Sequence, residues 1–340
     1  MRNRYKDDKE EEQQEQQDLK FKDLKSANRK KRKEPPKPWG KRERRIVLIT
    51  LLVTIFLSIT LAVSARNYKL PGLPKLRLTL PSFKGETIVI QGSPQYKQKA
   101  ERITTSFKNE TNSLSGVYAL YMVDLESGYT FGVNETEIIQ AASLIKLPVI
   151  AAFYKHVEGG NINLDTKYTL KNSDKIAGSG SLYSKPAGTV LTYRDMIKLM
   201  GKESDNTSFG IIKRIVGAQN INAMIKEIGM NDTVLDTNMT SSKDIGLFFQ
   251  KLWDGQIMND TNKNELLSFL TDTMYENWIV EGIPKDIRVA HKYGREVHVV
   301  NDAGIVYSDH PFVLVLMSDG IIEREADEIF PKLAKMVYHE

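Results

Sequence analysis

Cysteine is absent from all 340 residues, so no disulfide, no thiol nucleophile and no cysteine-based zinc site can be built. Histidine is scarce. The five that occur, at positions 156, 291, 298, 310 and 339, show no metal-ligand spacing. His291 and His298 fall at odd separation on a predicted strand, which turns them to opposite faces. No phosphate-binding glycine loop and no internal repeat is present, and Gly178-Ser179-Gly180-Ser181 reads as a flexible turn rather than a ligand cradle. These absences leave no metal and no organic cofactor to expect. Residues 1–45 lack the apolar side chains needed to bury a face and are expected to be disordered.

What is present begins with a charge-free run. Ile46 to Ala65, IVLITLLVTIFLSITLAVSA, carries no charged residue. At about 1.5 Å per residue it spans about 30 Å, one bilayer core. Arg42, Arg44, Arg45 and an earlier Lys/Arg cluster precede it, and the positive-inside rule puts that side in the cytoplasm. A cleaved signal peptide is the rival, with Val63-Ser64-Ala65 weakly resembling a cleavage site, but the preceding polar segment is far longer than an ordinary n-region. The expectation is an uncleaved anchor at 46–65, a single-pass protein in the cell membrane with a cytoplasmic N-terminus and its remainder extracytoplasmic. The basic cluster is then a topology signal with possible anionic-lipid contact, not a nucleic-acid patch.

Residues 66–90 contain several prolines and read as an extended spacer. From 91 to 340 the texture is globular: 41% of the chain is hydrophobic and 27% charged, which suits a real core. A helix is predicted over QYKQKAERITTSFKN, then a hairpin over GVYALYMVDLESGYTFGVN turning at Glu126-Ser127-Gly128. Amphipathic helices follow from Ser143 to about residue 274. The strands DIRVAHKYGREVHVVNDAGIVYS, broken by Asn-Asp and Gly turns, HPFVLVLMSDG and a last helix close the chain. This order predicts an α+β fold, in which the first and last strands share an antiparallel sheet flanked by helices and the intervening helices form a second, all-helical lobe.

Three short motifs carry chemistry. Ser143-Leu144-Ile145-Lys146 places a hydroxyl and an amine on one helix face, since residues i and i+3 are neighbours. A partly desolvated lysine there can lose its charge and serve as base to an acyl-accepting serine. The bland alternative makes Ser143 an N-cap, with Pro148 marking a tight first turn. Ser204-Asp205-Asn206 lies between two helical patterns, where capping residues are ordinary. Read functionally, it supplies a hydroxyl to relay a proton and an amide to hold an amide-bearing substrate. Lys292-Tyr293-Gly294 starts a strand whose edge could bind an extended substrate; the bland reading of Lys292 is a solvated strand lysine.

Together and in this order the motifs resemble the Ser-x-x-Lys, Ser-Asp-Asn and Lys-Thr-Gly set of class A β-lactamases and penicillin-binding proteins. The separation of Ser143 from Ser204 is that expected of the class A family, and the resemblance covers about residues 95–340. It implies a β-lactamase/DD-peptidase-like fold behind the membrane helix, with the site between the lobes. Ser143 becomes the nucleophile, Lys146 the base or its partner and Ser204 the proton relay. Asn206, Lys292, Gly294 and Arg295 bind substrate, with the backbone N–H groups of Ser143 and Arg295 forming an oxyanion hole. The implied substrate is a β-lactam or a D-Ala-D-Ala-type peptidoglycan stem peptide, handled by a monomer.

Two departures stand out. Tyr293 replaces the small hydroxyl residue of the third motif, a loss that Arg295 or His291 could offset. The stretch from Ser204 to Lys292 is clearly shorter than in the class A pattern, and GMNDTVLDTNMTSSKDIGLF contains no Glu-x-x-x-Asn. Asp232 and Asp236 are the nearby acids, expected in turn and cap roles. Without the family's deacylating glutamate, an acyl-enzyme should persist. A non-catalytic binding or sensor domain on the same fold is the alternative, and an esterase or transpeptidase using another acyl donor is a further one.

Overall fold

The computed structural model describes residues 40–67 and 94–340. Most of the charged tail and most of the spacer therefore lie outside the described residues. The chain divides into two units, 1–80 and 81–340. In the first, helix α1 (Lys41–Asn67) contains the whole charge-free run; the side chains of residues 59–67 are not among those described. Among the described residues no helix is long and apolar enough to cross a membrane, so the anchor stands on the sequence.

The second unit opens with α2 (Pro94–Thr111), then the expected hairpin β1 (Val117–Asp124) and β2 (Thr130–Val133). It closes with β7 (Val289–Glu296), β8 (Val299–Val306), β9 (Phe312–Asp319) and α10 (Glu323–His339). The five strands form one sheet in the order β2-β1-β9-β8-β7, antiparallel at every pairing. First and last strands thus meet, as the element order predicted.

Strand alternation makes two cores from one sheet. Tyr118, Leu120 and Met122 of β1 join Leu314 and Leu316 of β9 against Ile103, Phe107, Phe330 and Leu333 of α2 and α10. Ala119, Tyr121 and Val123, with Val313 and Val315, face the other way. There they meet the helical lobe: α3 (Lys146–Glu158), α4 (Tyr193–Lys202), α5 (Asn206–Val216), α6 (Ala218–Ile228), α7 (Ser242–Trp253) and α8 (Asp260–Phe269). Each large apolar side chain buried this way contributes about 1.5–3 kcal/mol before entropy is subtracted. Two ribbons, β3 (Ile139–Gln140) with β6 (Met239–Thr240) and β4 (Lys167–Thr169) with β5 (Val190–Thr192), and a short helix α9 (Ile279–Gly282) complete the unit.

One expectation is corrected. Asn301, Asp302 and Gly304 are not turn residues but lie inside β8. The turn is at Val297-His298, with His298 at φ +62°, so His298 is off the strand and the two-face argument for it lapses. Asn301 and Asp302 are fully buried because each has a dedicated partner, given below.

Candidate active site

Ser143 sits in a four-residue 3-10 turn, Ala142–Ile145, that runs directly into α3. It is not an N-cap: no side chain caps either helix. Pro148 fits this tight first turn, because its missing N–H is one the first helical turn leaves unused. Ala142, just before the serine, has φ +48°, a left-handed conformation that costs a non-glycine residue about 1–2 kcal/mol. The surroundings hold it there. Asn301 Nδ2 donates to the carbonyls of Gln140 and Ala141 at 2.8 and 3.2 Å, and Ala141 N–H donates to Asn238 O at 2.7 Å. The sheet and the short loop before α7 thus grip the segment leading to the serine from two sides.

Lys146 begins α3 and is 2% exposed. Its Nζ donates to Ser143 Oγ at 2.9 Å, Ser204 O at 2.6 Å, Ser204 Oγ at 3.1 Å and Asn206 Oδ1 at 2.8 Å. The Phe209 ring lies 5.5 Å away on the helical wall. All four acceptors are neutral. Burial lowers its pKa to about 8, with Asp205 and Glu296 opposing the shift from further off. A neutral amine has two N–H bonds and a lone pair, so the 2.9 Å contact can then run from the serine hydroxyl to the amine.

Ser204 (φ +55°) and Asp205 lie in the turn between α4 and α5. Asp205 caps α5 through Ser208 N–H at 2.6 Å and accepts from Leu182 N–H at 2.9 Å. Asn206 Nδ2 donates to Ala177 O at 3.2 Å, and Asn206 N–H to Ser179 O at 3.0 Å. Gly178-Ser179-Gly180-Ser181 is therefore no free turn but a brace for this motif. A Cβ on Gly180 would strike Asp205, which is why glycine stands there.

The third motif is on β7, one of the two edge strands of the sheet. Lys292, Gly294 and Glu296 take the face toward the helical lobe, the others the face toward α10. A Cβ on Gly294 would stand 2.8 Å from Ser143 N, so only glycine lets the strand backbone pass this close to the serine. Lys292 is wholly buried, with Nζ donating to Tyr293 O at 2.8 Å. Its pKa lies well below the usual value, through burial first and then the charge of Lys146. Ser143, Lys146 and Asn206 line a cleft of about 250 Å³ with Phe209, Lys213, Leu235, Asp236, Asn238 and Glu296.

A family model for the beta-lactamase enzyme family matches residues 99–340. The chain belongs to the beta-lactamase enzyme family. It is 22% identical over 271 residues to Beta-lactamase VEB-1 from Pseudomonas aeruginosa, covering 71% of this chain and 91% of that protein. Among solved structures it is similar to PBP-A, with TM-score 0.66, 26% identity and coverage of 71% of this chain and 95% of that one. A PBP-A variant solved as an acyl-enzyme complex with penicillin G is similar too, at TM-score 0.64 and 25% identity, covering 72% and 96%. The resemblance to class A β-lactamases and penicillin-binding proteins holds, and the sheet flanked by helices is the β-lactamase/penicillin-binding-protein fold.

Within this beta-lactamase family domain, one predicted site side chain stands apart. Arg295 points to the α10 face, and its guanidinium meets the Asp327 carboxylate at 3.3 Å. His291 cannot stand in for the lost hydroxyl either: it lies fully buried between Asp302 (Nδ1 to Oδ1, 2.7 Å) and Glu276 (Nε2 to Oε1, 3.2 Å). Burial disfavours its charge, but the two carboxylates outweigh that and raise its pKa to about 9. Asp232 accepts from Ser241 Oγ at 2.9 Å beside the α7 cap, whereas Asp236 lies on the cleft wall.

Proposed function

We propose that this chain is a membrane-anchored serine hydrolase that forms an acyl-enzyme on Ser143 with a β-lactam or a D-Ala-D-Ala-type cell-wall peptide. One observation carries the reading: Lys146 Nζ, its pKa lowered to about 8, touches Ser143 Oγ at 2.9 Å and Ser204 Oγ at 3.1 Å. A nucleophile with a base in reach and a second hydroxyl beside that base is the arrangement acyl transfer needs. Neutral Lys146 takes the Ser143 proton as Oγ attacks the carbonyl carbon. The C–N bond breaks, and the proton passes through Ser204 Oγ to the leaving nitrogen. The N–H groups of Ser143 and Arg295 are the assigned oxyanion donors, a role that fits the close passage of β7 at Gly294. Asn206 serves the substrate amide.

Slow deacylation belongs to the same reading. The loop from Gly229 to Ser241 contains no glutamate, and buried Leu235 lines the cleft where it crosses. The anchor at 46–65, with the catalytic unit outside the cell and a single chain sufficient for the site, rests on the uncharged run in α1 and the basic residues before it.

The test is to incubate the full chain in detergent with benzylpenicillin and follow intact mass, beside Ser143→Ala. The expected result is a Ser143-dependent adduct that lasts for hours. An adduct that clears while penicillin is consumed would overturn slow deacylation. No adduct with folded protein would favour a binding domain, the alternative that buried Lys292 under Tyr293 supports.

A further inference from the structure

A carboxylate beside a scissile bond needs a cation or N–H donors within reach. β7 carries three basic side chains around the third motif, His291, Lys292 and Arg295, and each is already engaged. His291 is closed between Asp302 and Glu276. Arg295 is turned to Asp327 on the other face. Lys292 faces the right way but has no exposed surface. Its Nζ bonds to the Tyr293 carbonyl at 2.8 Å and lies 4.1 Å from the centre of the Tyr293 ring.

That ring has neighbours at both ends. Its hydroxyl reaches Lys202 O at 3.5 Å, so the side chain spans from the sheet to the end of α4, two residues before Ser204. Its ring centre is 5.7 Å from that of Tyr275, which is 4.4 Å from that of Trp278. The Trp278 indole N–H is in turn tied to Asp327 at 2.9 Å. These tilted ring contacts hold Tyr293 beside the Lys292 amine. In the open part of the cleft, Lys213 shares the lining with two acids, Asp236 and Glu296, so the charge an entering carboxylate meets there is net negative.

We propose that Tyr293 is a specificity-determining residue: its ring, reaching from the edge strand β7 toward the end of α4, covers the Lys292 amine, so Ser143 is acylated fastest by donors whose carboxylate is missing or masked. The inference rests on the acyl-serine reading above and ranks its donors, neutral esters and amides acylating ahead of β-lactams and D-Ala-D-Ala-type peptides that carry a free carboxylate.

The matched probes are benzylpenicillin and its methyl ester, which differ in one charge. In each case Ser143 Oγ bonds to the lactam carbonyl carbon, the C–N bond opens and the hydroxyl proton ends on that nitrogen. Nothing leaves, so the mass rises by the whole donor. Full-length protein in detergent is assayed as wild type, Tyr293→Thr, Tyr293→Phe and Ser143→Ala, with adduct formation timed by intact mass. The ester is expected to acylate the wild type at least about tenfold faster than the acid, the range a misfitted pocket gives. Tyr293→Thr should erase that preference and Tyr293→Phe should keep it. A wild-type ratio of one or less overturns the inference without any variant, so a misfolded Tyr293→Thr does not blunt the test. A ratio unchanged in folded Tyr293→Thr overturns the role of Tyr293. No Ser143 adduct with either compound in any variant overturns the acyl-serine reading itself, and this inference with it.

Discussion

Lys146 and His291 are both buried bases, one at the start of α3 and one on β7, and their surroundings drive them in opposite directions. Lys146 is ringed by neutral oxygens from Ser143, Ser204 and Asn206, and its pKa falls to about 8. His291 lies between two carboxylates, and its pKa rises to about 9. Burial penalises the charged form of each; what differs is whether an opposite charge is close enough to offset it. Dipoles without a counter-charge leave a base that can take a proton near neutral pH. Carboxylates on both sides leave a cation that holds its proton and ties strands together. Asp302 also accepts from Ile279 N–H at 2.9 Å, so this second cluster joins β7 and β8 to α9. The contrast separates a group kept for reactivity from a group kept for position.

The largest effect that tests the contrast is on Lys146. Lys146→Met should slow acylation of Ser143 by about a thousandfold, within the range for loss of a positioned base. Its folded stability should hold or rise, because an apolar side chain replaces a desolvated ammonium of similar length. In the wild type the acylation rate should climb with pH around a midpoint near 8, as the amine loses its proton. Denaturant melts beside stopped-flow acylation decide it. A variant that loses stability while acylating normally would make Lys146 a structural group.

Asp302→Asn is the mirror experiment. Removing one partner of a buried ion pair costs about 3–5 kcal/mol, and urea unfolding should report a loss of that size. The pH dependence has a definite sign. The folded pKa of His291 lies above its unfolded value of 6.5. Its stabilisation is therefore complete below about pH 6.5 and is lost as pH rises through about 9. In Asp302→Asn that falling limb should shrink. An unaltered stability-versus-pH curve would show that the pair does not hold the strands.

The parts of this protein legible in its sequence are those whose partners are near in the chain or whose period is short. Ser143 and Lys146 share a face by helical spacing, and the β1–β2 hairpin follows from alternation around a local turn. At Asn301 and Asp302 side-chain polarity alone says turn, whereas both lie inside β8. Their partners, Ala141 and His291, come from other strands or segments and become visible only once β7, β8 and the 3-10 turn are side by side. The motif's position assigns Arg295 to substrate, but strand alternation sends its side chain to the opposite face from Gly294, where it meets Asp327. The brace from Gly178 to Ser181 reads as a loose turn because its bonds, with that of the adjoining Leu182, run to Glu203, Asn206 and Asp205, beyond any local pattern. The membrane segment remains an inference from uncharged length and flanking arginines.

The smallest expected effect is at Ala142, and there the size of the terms decides the outcome. Replacing it by glycine relieves a left-handed strain of about 1–2 kcal/mol. It also frees the unfolded chain, at a cost of about 0.4–1 kcal/mol, and removes a methyl group that is 3% exposed, which costs about 0.8 kcal/mol. These nearly cancel, so Ala142→Gly should move the melting temperature by no more than about 4 °C. Acylation should still fall, by roughly two- to fivefold, because the methyl group that fills the space against Gly294 limits how far the Ser143 turn can shift. A large gain in stability would mean the positive φ was strain without compensation. Unchanged acylation would mean that the clamps from Asn301 and Asn238 hold the serine by themselves, and the contrast between reactive and positioning groups would then end at the backbone.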